Sequence, residues 1–326
     1  MKVLVTGASG FVGAALAERL LQPGALGGEL RQLVLVDQRF DRVCTDSRVS
    51  QRSGDIADSE FIRSITGDAP DVVFHLASLP GGAAEKDFAL GYAVNVQATE
   101  ELLSRLSNTE KPPVVVFAST IAVYGTEWPA LVDDGTPLKP VLSYATQKLM
   151  GELLINDMSR RRMIDGRAVR LPGIVARPQQ PNGLISAFMS DVFHQLRDGC
   201  PFTSPVSQQA TAWWMSVGCC VDNLLHAAAL PRAGLGADRV WQLPVLHLTM
   251  QAVVDELVAR FGADRQDLIR WAPVEAVEKV FGRYPPLDAR TALARGFRHD
   301  GDTASLVRRA LQEAVEAEPN GGVPNP

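Results

Sequence analysis

A tyrosine stands four residues before a lysine in SYATQK, Ser143 to Lys148. At that spacing Tyr144 and Lys148 share one face of a helix. The chemistry open to such a pair is proton transfer. A free phenol, with a pKa of about 10, is a poor base at neutral pH, but an ammonium one turn away favours its phenolate. A phenolate within hydrogen-bond reach of a secondary alcohol can take the hydroxyl proton as hydride leaves the same carbon. Taken alone, a Tyr–Lys pair is more often a helix surface contact, so the elements around it decide its meaning.

Those elements alternate. Short β-branched runs (KVLVTG, QLVLVD, DVVFHLA, VVVFAST) alternate with helical stretches at Val12–Leu21, Ser59–Thr66, Ala84–Leu106 and Tyr144–Arg162. The runs lack polar alternation, which predicts a parallel sheet covered by helices on both faces, an α/β fold. The first strand leads into VLVTGASGFVG, where Gly7, Gly10 and Gly13 recur every third residue before a helix near Phe11. Glycine suits a tight turn, a close approach of backbone to pyrophosphate, and helix packing on strand; the helix N-terminus then offers N–H donors and positive dipole. Ser9, Gly10, Phe11, Val12 and Gly13 are the predicted phosphate cradle. The next strand ends at Asp37, whose carboxylate suits ribose hydroxyls and repels a 2′-phosphate, favouring NAD over NADP. Arg39 and Arg42 nearby keep NADP open.

The glycine loop, FASTIAVYG and YATQK together resemble the extended short-chain dehydrogenase/reductase family along essentially the whole chain. GDI (Gly54–Ile56) is similar to the family's adenine-contacting element, HLAS (His75–Ser78) to its fourth-strand element beside the cofactor, and VNVQATEELL to the helix that begins with an asparagine. LDARTALARGF resembles the family's closing element. The resemblance implies a Rossmann-type doubly wound parallel sheet with a smaller C-terminal substrate-binding subdomain. It adds Asp55, Ile56, Leu76, Ala77, Ser78 and Asn95 to the expected cofactor contacts. It gives Lys148 a second role on the nicotinamide ribose, and RLPGIV brings Pro172 and Ile174 to the nicotinamide amide. The substrate-orienting hydroxyl is Thr120 by register, with Ser119 as neighbour and fallback.

Many members of that family act on nucleotide-activated sugars, whose diphosphate is held by an asparagine and an arginine. In the register of this chain those positions hold Gly173 and Ala212. Their loss removes charge-assisted hydrogen bonds worth roughly 1.5 to 3 kcal/mol each. A small substrate is the expectation instead. The blocks around Tyr144 and DGRAVRLPGIVARPQQPN resemble the branch of the family that oxidises the C2 hydroxyl of a four-carbon sugar acid with NAD. A carboxylate needs a cation or N–H donors, and Arg177, Asn182, Ser78, Thr120 and Tyr144 are the substrate-binding candidates, with Trp213 or Trp214 as possible pocket walls. A nucleotide-sugar epimerase or dehydratase, and a non-catalytic NAD sensor, are the alternatives; the intact Tyr–Lys pair counts against the sensor.

At 326 residues with a formal net charge of −5 and no basic stripe, the chain is not expected to bind nucleic acid. No apolar run reaches membrane length, the four cysteines lack metal-ligand spacing and read as buried free thiols, and no metal is expected. The chain opens on KVLVTG, with no leader before it, so a cytoplasmic protein is expected. The predicted division is a nucleotide-binding part over 1–172 to which some later segments return, a mainly substrate-binding part over 173–317, and a disordered Pro- and Gly-rich tail over 318–326. The resemblance also implies a homodimer in which the Asn95 and Tyr144 helices form a four-helix bundle.

Overall fold

The computed structural model describes residues 1–107, 111–179 and 185–312; Asn182 and the tail assigned to 318–326 lie outside the described residues. In chain order the strands are β1 (Lys2–Thr6), β2 (Gln32–Asp37), β3 (Val49–Ser53), β4 (Val72–His75), β5 (Val114–Thr120), β6 (Asp165–Leu171), β7 (Gly173–Val175), β8 (Phe202–Ser204), β9 (Thr211–Ser216), β10 (Val240–Gln242), β11 (Leu246–Thr249) and β12 (Ile269–Trp271). The helices are α1 (Phe11–Leu20), α2 (Ser59–Thr66), α3 (Gly81–Lys86), α4 (Phe88–Tyr92), α5 (Ala98–Ser107), α6 (Ser143–Arg160), α7 (Phe188–Arg197), α8 (Val217–Ala229), α9 (Met250–Phe261), α10 (Glu275–Phe281), α11 (Arg290–Ala294) and α12 (Thr303–Ala310).

Seven strands form one parallel sheet in the order β10-β6-β5-β4-β1-β2-β3, a Rossmann-type arrangement. The order reverses between β1 and β4, and ligands bind such sheets in the crevice at the carboxyl ends beside that switch point. Both faces are covered. Leu4, Val73, Val115 and Phe117 pack under one helical layer, and Val3, Val5, Phe74 and Val116 pack with α1 and α8 residues under the other. The pattern of unbroken apolar runs is thus explained by burial on two sides. Strand β3, VSQRS, escapes that pattern because it is the polar sheet edge.

One helical expectation needs correction. The stretch 84–106 is not a single helix: α3 stops at Asp87, whose backbone leaves the helical region at φ −129° and whose carboxylate accepts from Leu90 N at 2.9 Å to start α4. A π-helical turn, Ala93–Gln97, then carries Asn95 before α5 begins. Such turns widen a helix locally and recur at functional sites.

A second core gathers Phe188, Phe193, Trp214, Val254, Leu257 and Leu306 around the small sheets β11-β9-β7 and β12-β8. The chain does not remain there after residue 172. Helix α8 returns Leu224 and Leu225 to the first core, and β10 pairs with β6 as the seventh strand of the main sheet. Of the cysteines, Cys219 and Cys220 are buried, with burial pushing the Cys219 thiol up to about 12; Cys200 is exposed, contrary to expectation. Among the described residues, no helix is long and apolar enough to cross a membrane.

Candidate active site

The glycine turn follows from the approach of backbone to backbone. Gly7 has φ +72°, and a Cβ there would lie 2.7 Å from Ala77 N at the end of β4. A Cβ on Gly13 would lie 2.0 Å from the Gly7 carbonyl, so α1 packs on its own turn only through glycine. Gly10 is different: its Cβ would meet only Gly7 O, at 3.2 Å, and it caps α1 without a side chain. The first N–H groups of α1 therefore face an uncrowded space, which fits a pyrophosphate. At the end of β2, Asp37 accepts from Ser9 N at 2.9 Å and from Gln38 N at 2.7 Å, and Ser9 Oγ donates to Arg39 O at 2.6 Å. This fixes a carboxylate next to the turn, with a carboxylate's further lone pairs available to ribose hydroxyls. Asp55 accepts from Ala57 N at 2.9 Å beside the buried Ile56.

A buried relay ties this turn to the β4 end. Ala77 N donates to Thr6 Oγ1 (3.3 Å), which lies 2.7 Å from His75 Nδ1, while His75 Nε2 lies 2.9 Å from Thr99 Oγ1. Thr99 Oγ1 donates to Asn95 O at 2.9 Å, so Thr99 accepts from His75 Nε2–H and Thr6 donates to Nδ1. The ring is neutral and structural. Burial, aided by the Lys148 charge, pushes His75 down to about 3. A histidine with a depressed folded pKa supports stability above its unfolded value near 6.5 and loses that support as pH falls toward 3. Each unit of acid in that window is expected to cost about 1.4 kcal/mol from this group. Urea unfolding at pH 7 and pH 5 should show that slope, and a His75→Asn variant a shallower one.

Asn95 was expected to touch the cofactor, yet its amide is committed elsewhere. Its Oδ1 accepts from Leu79 N at 2.7 Å, and its Nδ2 donates to Leu79 O at 3.1 Å and to Gln147 Oε1 at 2.7 Å. Asn95 therefore clamps the Leu76–Leu79 segment, which carries Ser78, to α6.

Helix α6 starts at Ser143, whose N–H is capped by Glu85 Oε2 at 2.9 Å. Tyr144 lies in its first turn. Burial pushes the Tyr144 phenol above the usual range, and hydrogen bonds from Ser78 and Thr120, with the positive charge of Arg177, pull it back. Thr120 also accepts from Ala122 N at 3.2 Å, which holds it at the end of β5. Lys148 is buried, its Nζ 4.7 Å from the Phe117 ring centroid and 6.0 Å from that of Tyr144. Burial pushes it down to about 7, against the opposing charge of Glu152.

Ser119 does not join Thr120. Its Oγ donates to Glu152 Oε1 at 2.5 Å, and Glu152 also receives Arg170 Nε and Nη2 at 2.9 and 2.8 Å. Arg170 Nη1 donates to Tyr124 OH at 3.0 Å. None of Glu152, Arg170 and Tyr124 was singled out from the sequence, though two signals existed. Glu152 extends the four-residue spacing of Tyr144 and Lys148, and Arg170 is a charge inside an otherwise apolar strand.

Beyond β6, Pro172 is buried and Ile174 half-buried in the segment leading into β7. Arg177 follows with its backbone pinned: its N donates to Ser190 Oγ and its carbonyl accepts from His194 Nε2, each at 2.9 Å. Its side chain is exposed. Trp213 and Trp214 are both core residues, donating to Pro285 O and Leu248 O, so neither walls an open pocket. Ala212 packs in the second core with Trp214, whereas Trp213 turns to Tyr124, Trp128 and Tyr284, so an arginine at 212 would enter a core rather than a phosphate site. Gly173 is crowded by Met189 Cε at 2.7 Å and Trp213 O at 3.0 Å from a would-be Cβ, leaving little room for an asparagine.

A reversal of strand order, a glycine turn beside it and a helix at the same edge that carries half-buried Tyr144 and buried Lys148 define a dinucleotide-dependent enzyme of the short-chain dehydrogenase/reductase class. Residues 3–240 match the NAD dependent epimerase/dehydratase family, and the chain belongs to that family. It is 36% identical over 320 residues to a D-erythronate dehydrogenase of Cupriavidus necator, covering 96% of this chain and 99% of that one. A D-erythronate dehydrogenase of Haemophilus influenzae is 31% identical, again covering 96% and 99%. Among solved structures, a nucleoside-diphosphate-sugar epimerase from Agrobacterium tumefaciens superposes with a TM-score of 0.90 at 30% identity, covering 96% of this chain and 94% of that one.

Proposed function

We propose that the protein is an NAD-dependent dehydrogenase that oxidises the C2 hydroxyl of a small sugar acid, D-erythronate, to the 2-keto acid. The observation that carries this reading is Tyr144 and Lys148 on one face of α6, with Ser78, Thr120 and the Arg177 charge acting on the Tyr144 phenol. In a 2-hydroxy acid the reacting hydroxyl and the carboxylate sit on adjacent carbons, so the base and a cation must lie close together. Tyr144 with Arg177 supplies that combination. The two full-length relatives named for D-erythronate support the choice of acid.

In this reading NAD, when bound, accepts the hydride. Gly7, Ser9, Gly10, Phe11, Val12 and Gly13 cradle its pyrophosphate, Asp37 takes the adenosine ribose, Asp55 and Ile56 flank the adenine, and Leu76, Ala77, Pro172 and Ile174 border the nicotinamide half. Tyr144 removes the hydroxyl proton, Thr120 and Ser78 orient the hydroxyl, Lys148 supports the phenolate and holds the nicotinamide ribose, and Arg177 pairs with the carboxylate. The division into 1–172 and 173–317, a homodimer built on α5 and α6, and a cytoplasmic location complete the proposal. Exposed Leu153 on α6 and Phe88 and Leu90 on α4 suit such a helical interface.

Incubation with NAD and D-erythronate, with NADP and related aldonates as controls, should generate NADH absorbance; silence with every four- and five-carbon acid would sink the proposal. Arg177→Met should raise KM for the acid by at least tenfold with a smaller change in kcat, because one or two charge-assisted hydrogen bonds are lost. An unchanged KM would remove Arg177 from the carboxylate site. The Agrobacterium tumefaciens neighbour gives a second reading, a nucleotide-sugar epimerase. Tight calorimetric binding of a nucleotide sugar would promote it.

A further inference from the structure

The face of α6 turned to β5 and β6 carries Tyr144, Lys148 and Glu152 at successive four-residue steps. Each partner of Glu152 is accounted for. The carboxylate is 2% exposed and takes a bidentate pair from Arg170 plus a hydroxyl from Ser119. Arg170 is fixed in turn by Tyr124, whose ring also lies 5.2 Å from the guanidinium carbon. Burial works against the Arg170 charge, yet the Glu152 carboxylate holds its pKa above the ordinary arginine value. Lys148, by contrast, is buried against aromatic faces, and the carboxylate whose charge reaches it is Glu152. Isolated ammonium groups in such surroundings discharge.

We propose that Glu152 is a positioning residue for the Tyr144–Lys148 pair: its clamped carboxylate is the counter-charge that keeps Lys148 an ammonium, and through Lys148 it sets the protonation state of the base. The clamp matters because a mobile carboxylate could ion-pair directly with Lys148 and pull it from Tyr144. Held by Arg170 and Ser119, Glu152 acts at a distance and leaves the lysine N–H donors free. The charged and titratable groups around Lys148 are Tyr144 and Glu152 on α6, neutral His75 ending β4, Arg170 on β6 behind Glu152, and Arg177 after β7 beside Tyr144. Of these, only Glu152 carries a negative charge while Tyr144 is protonated.

The inference rests on the dehydrogenase reading for its catalytic meaning, but its test does not need the substrate. The titration of Lys148 is followed by NMR of side-chain 13C-labelled, cofactor-free enzyme, assigned with Lys148→Arg. The wild-type midpoint is expected near 7. Glu152→Gln should lower it by at least one pH unit, tenfold in the protonation equilibrium, and Glu152→Asp should restore most of the loss. Should Glu152→Gln leave Arg170 unpaired and the protein unfolded, the double variant Glu152→Gln/Arg170→Gln removes the pair as a unit and must still lower the midpoint, by less than the single variant because the opposing Arg170 charge is lost with it. A Lys148 midpoint that stays in place in either folded variant, with only the melting temperature lowered, overturns the proposal and makes the network structural. A shifted midpoint in an enzyme silent with every acid upholds it and sinks the substrate assignment instead.

Discussion

Tyr144→Phe is expected to give a folded protein that binds NAD like the parent but turns over roughly 10²- to 10⁴-fold more slowly, the range for loss of a positioned general base. The phenylalanine keeps the ring against Gly81, whose would-be Cβ lies 3.8 Å from Tyr144 Cδ1, so packing in the first turn of α6 is preserved. What disappears is the one hydroxyl that Ser78 and Thr120 both address. Because burial holds the phenol above the ordinary range, the parent's kcat/KM should climb with pH through neutrality as the phenolate forms. In the variant that limb should vanish along with the rate. Steady-state assays across pH, paired with fluorescence titration of NAD, separate the outcomes. Full activity in the variant would remove Tyr144 from the chemistry, and lost NAD binding would mean that the substitution disturbed the cofactor site.

Arg170→Met is expected to carry the largest cost in stability, about 3–5 kcal/mol, the range for stripping one partner from a buried ion pair. The carboxylate left behind is that of Glu152, 2% exposed, with the Ser119 hydroxyl as what remains of its present hydrogen bonds. The same variant unpins the Tyr124 hydroxyl, which packs in the aromatic cluster with Trp128 and Trp213. Urea denaturation of parent and variant at pH 7 measures the difference. A loss below about 1 kcal/mol would place this pair with solvent-screened surface bridges. Replacing both residues by apolar ones of similar volume should recover much of the loss, since desolvation of two charges then disappears as well.

The nucleotide-binding half was legible because its constraints are local. Apolar runs, a glycine triplet and an acidic strand end each report geometry within a few residues of themselves. The edge strand β3 was not, since four of its five residues are polar, and neither was the break at Asp87, where a single cap overrides helical periodicity. That Tyr144, Lys148 and Thr120 lie together was readable from spacing and resemblance. The hydrogen-bond partners of Ser119 and Asn95 were not, because a hydroxyl or amide finds its partner through tertiary contacts: Glu152 lies 33 residues from Ser119, and Gln147 lies 52 from Asn95. Ala212 shows the same limit for a strand, where a one-residue change in register moves a side chain to the opposite face of the sheet, here from one buried cluster to another.

The return of β10 to the main sheet bears on how the protein can be cut. A fragment ending at residue 172 would retain β1 to β6 but leave the outer side of β6 bare, with the Ala168, Val169 and Arg170 positions unpaired. An apolar open margin of that kind recruits other chains. The nucleotide-binding portion is therefore expected to aggregate when expressed alone. The last strand of the sheet is supplied from residues 240–242, well past the cut, so the two halves must be made together to stay in solution.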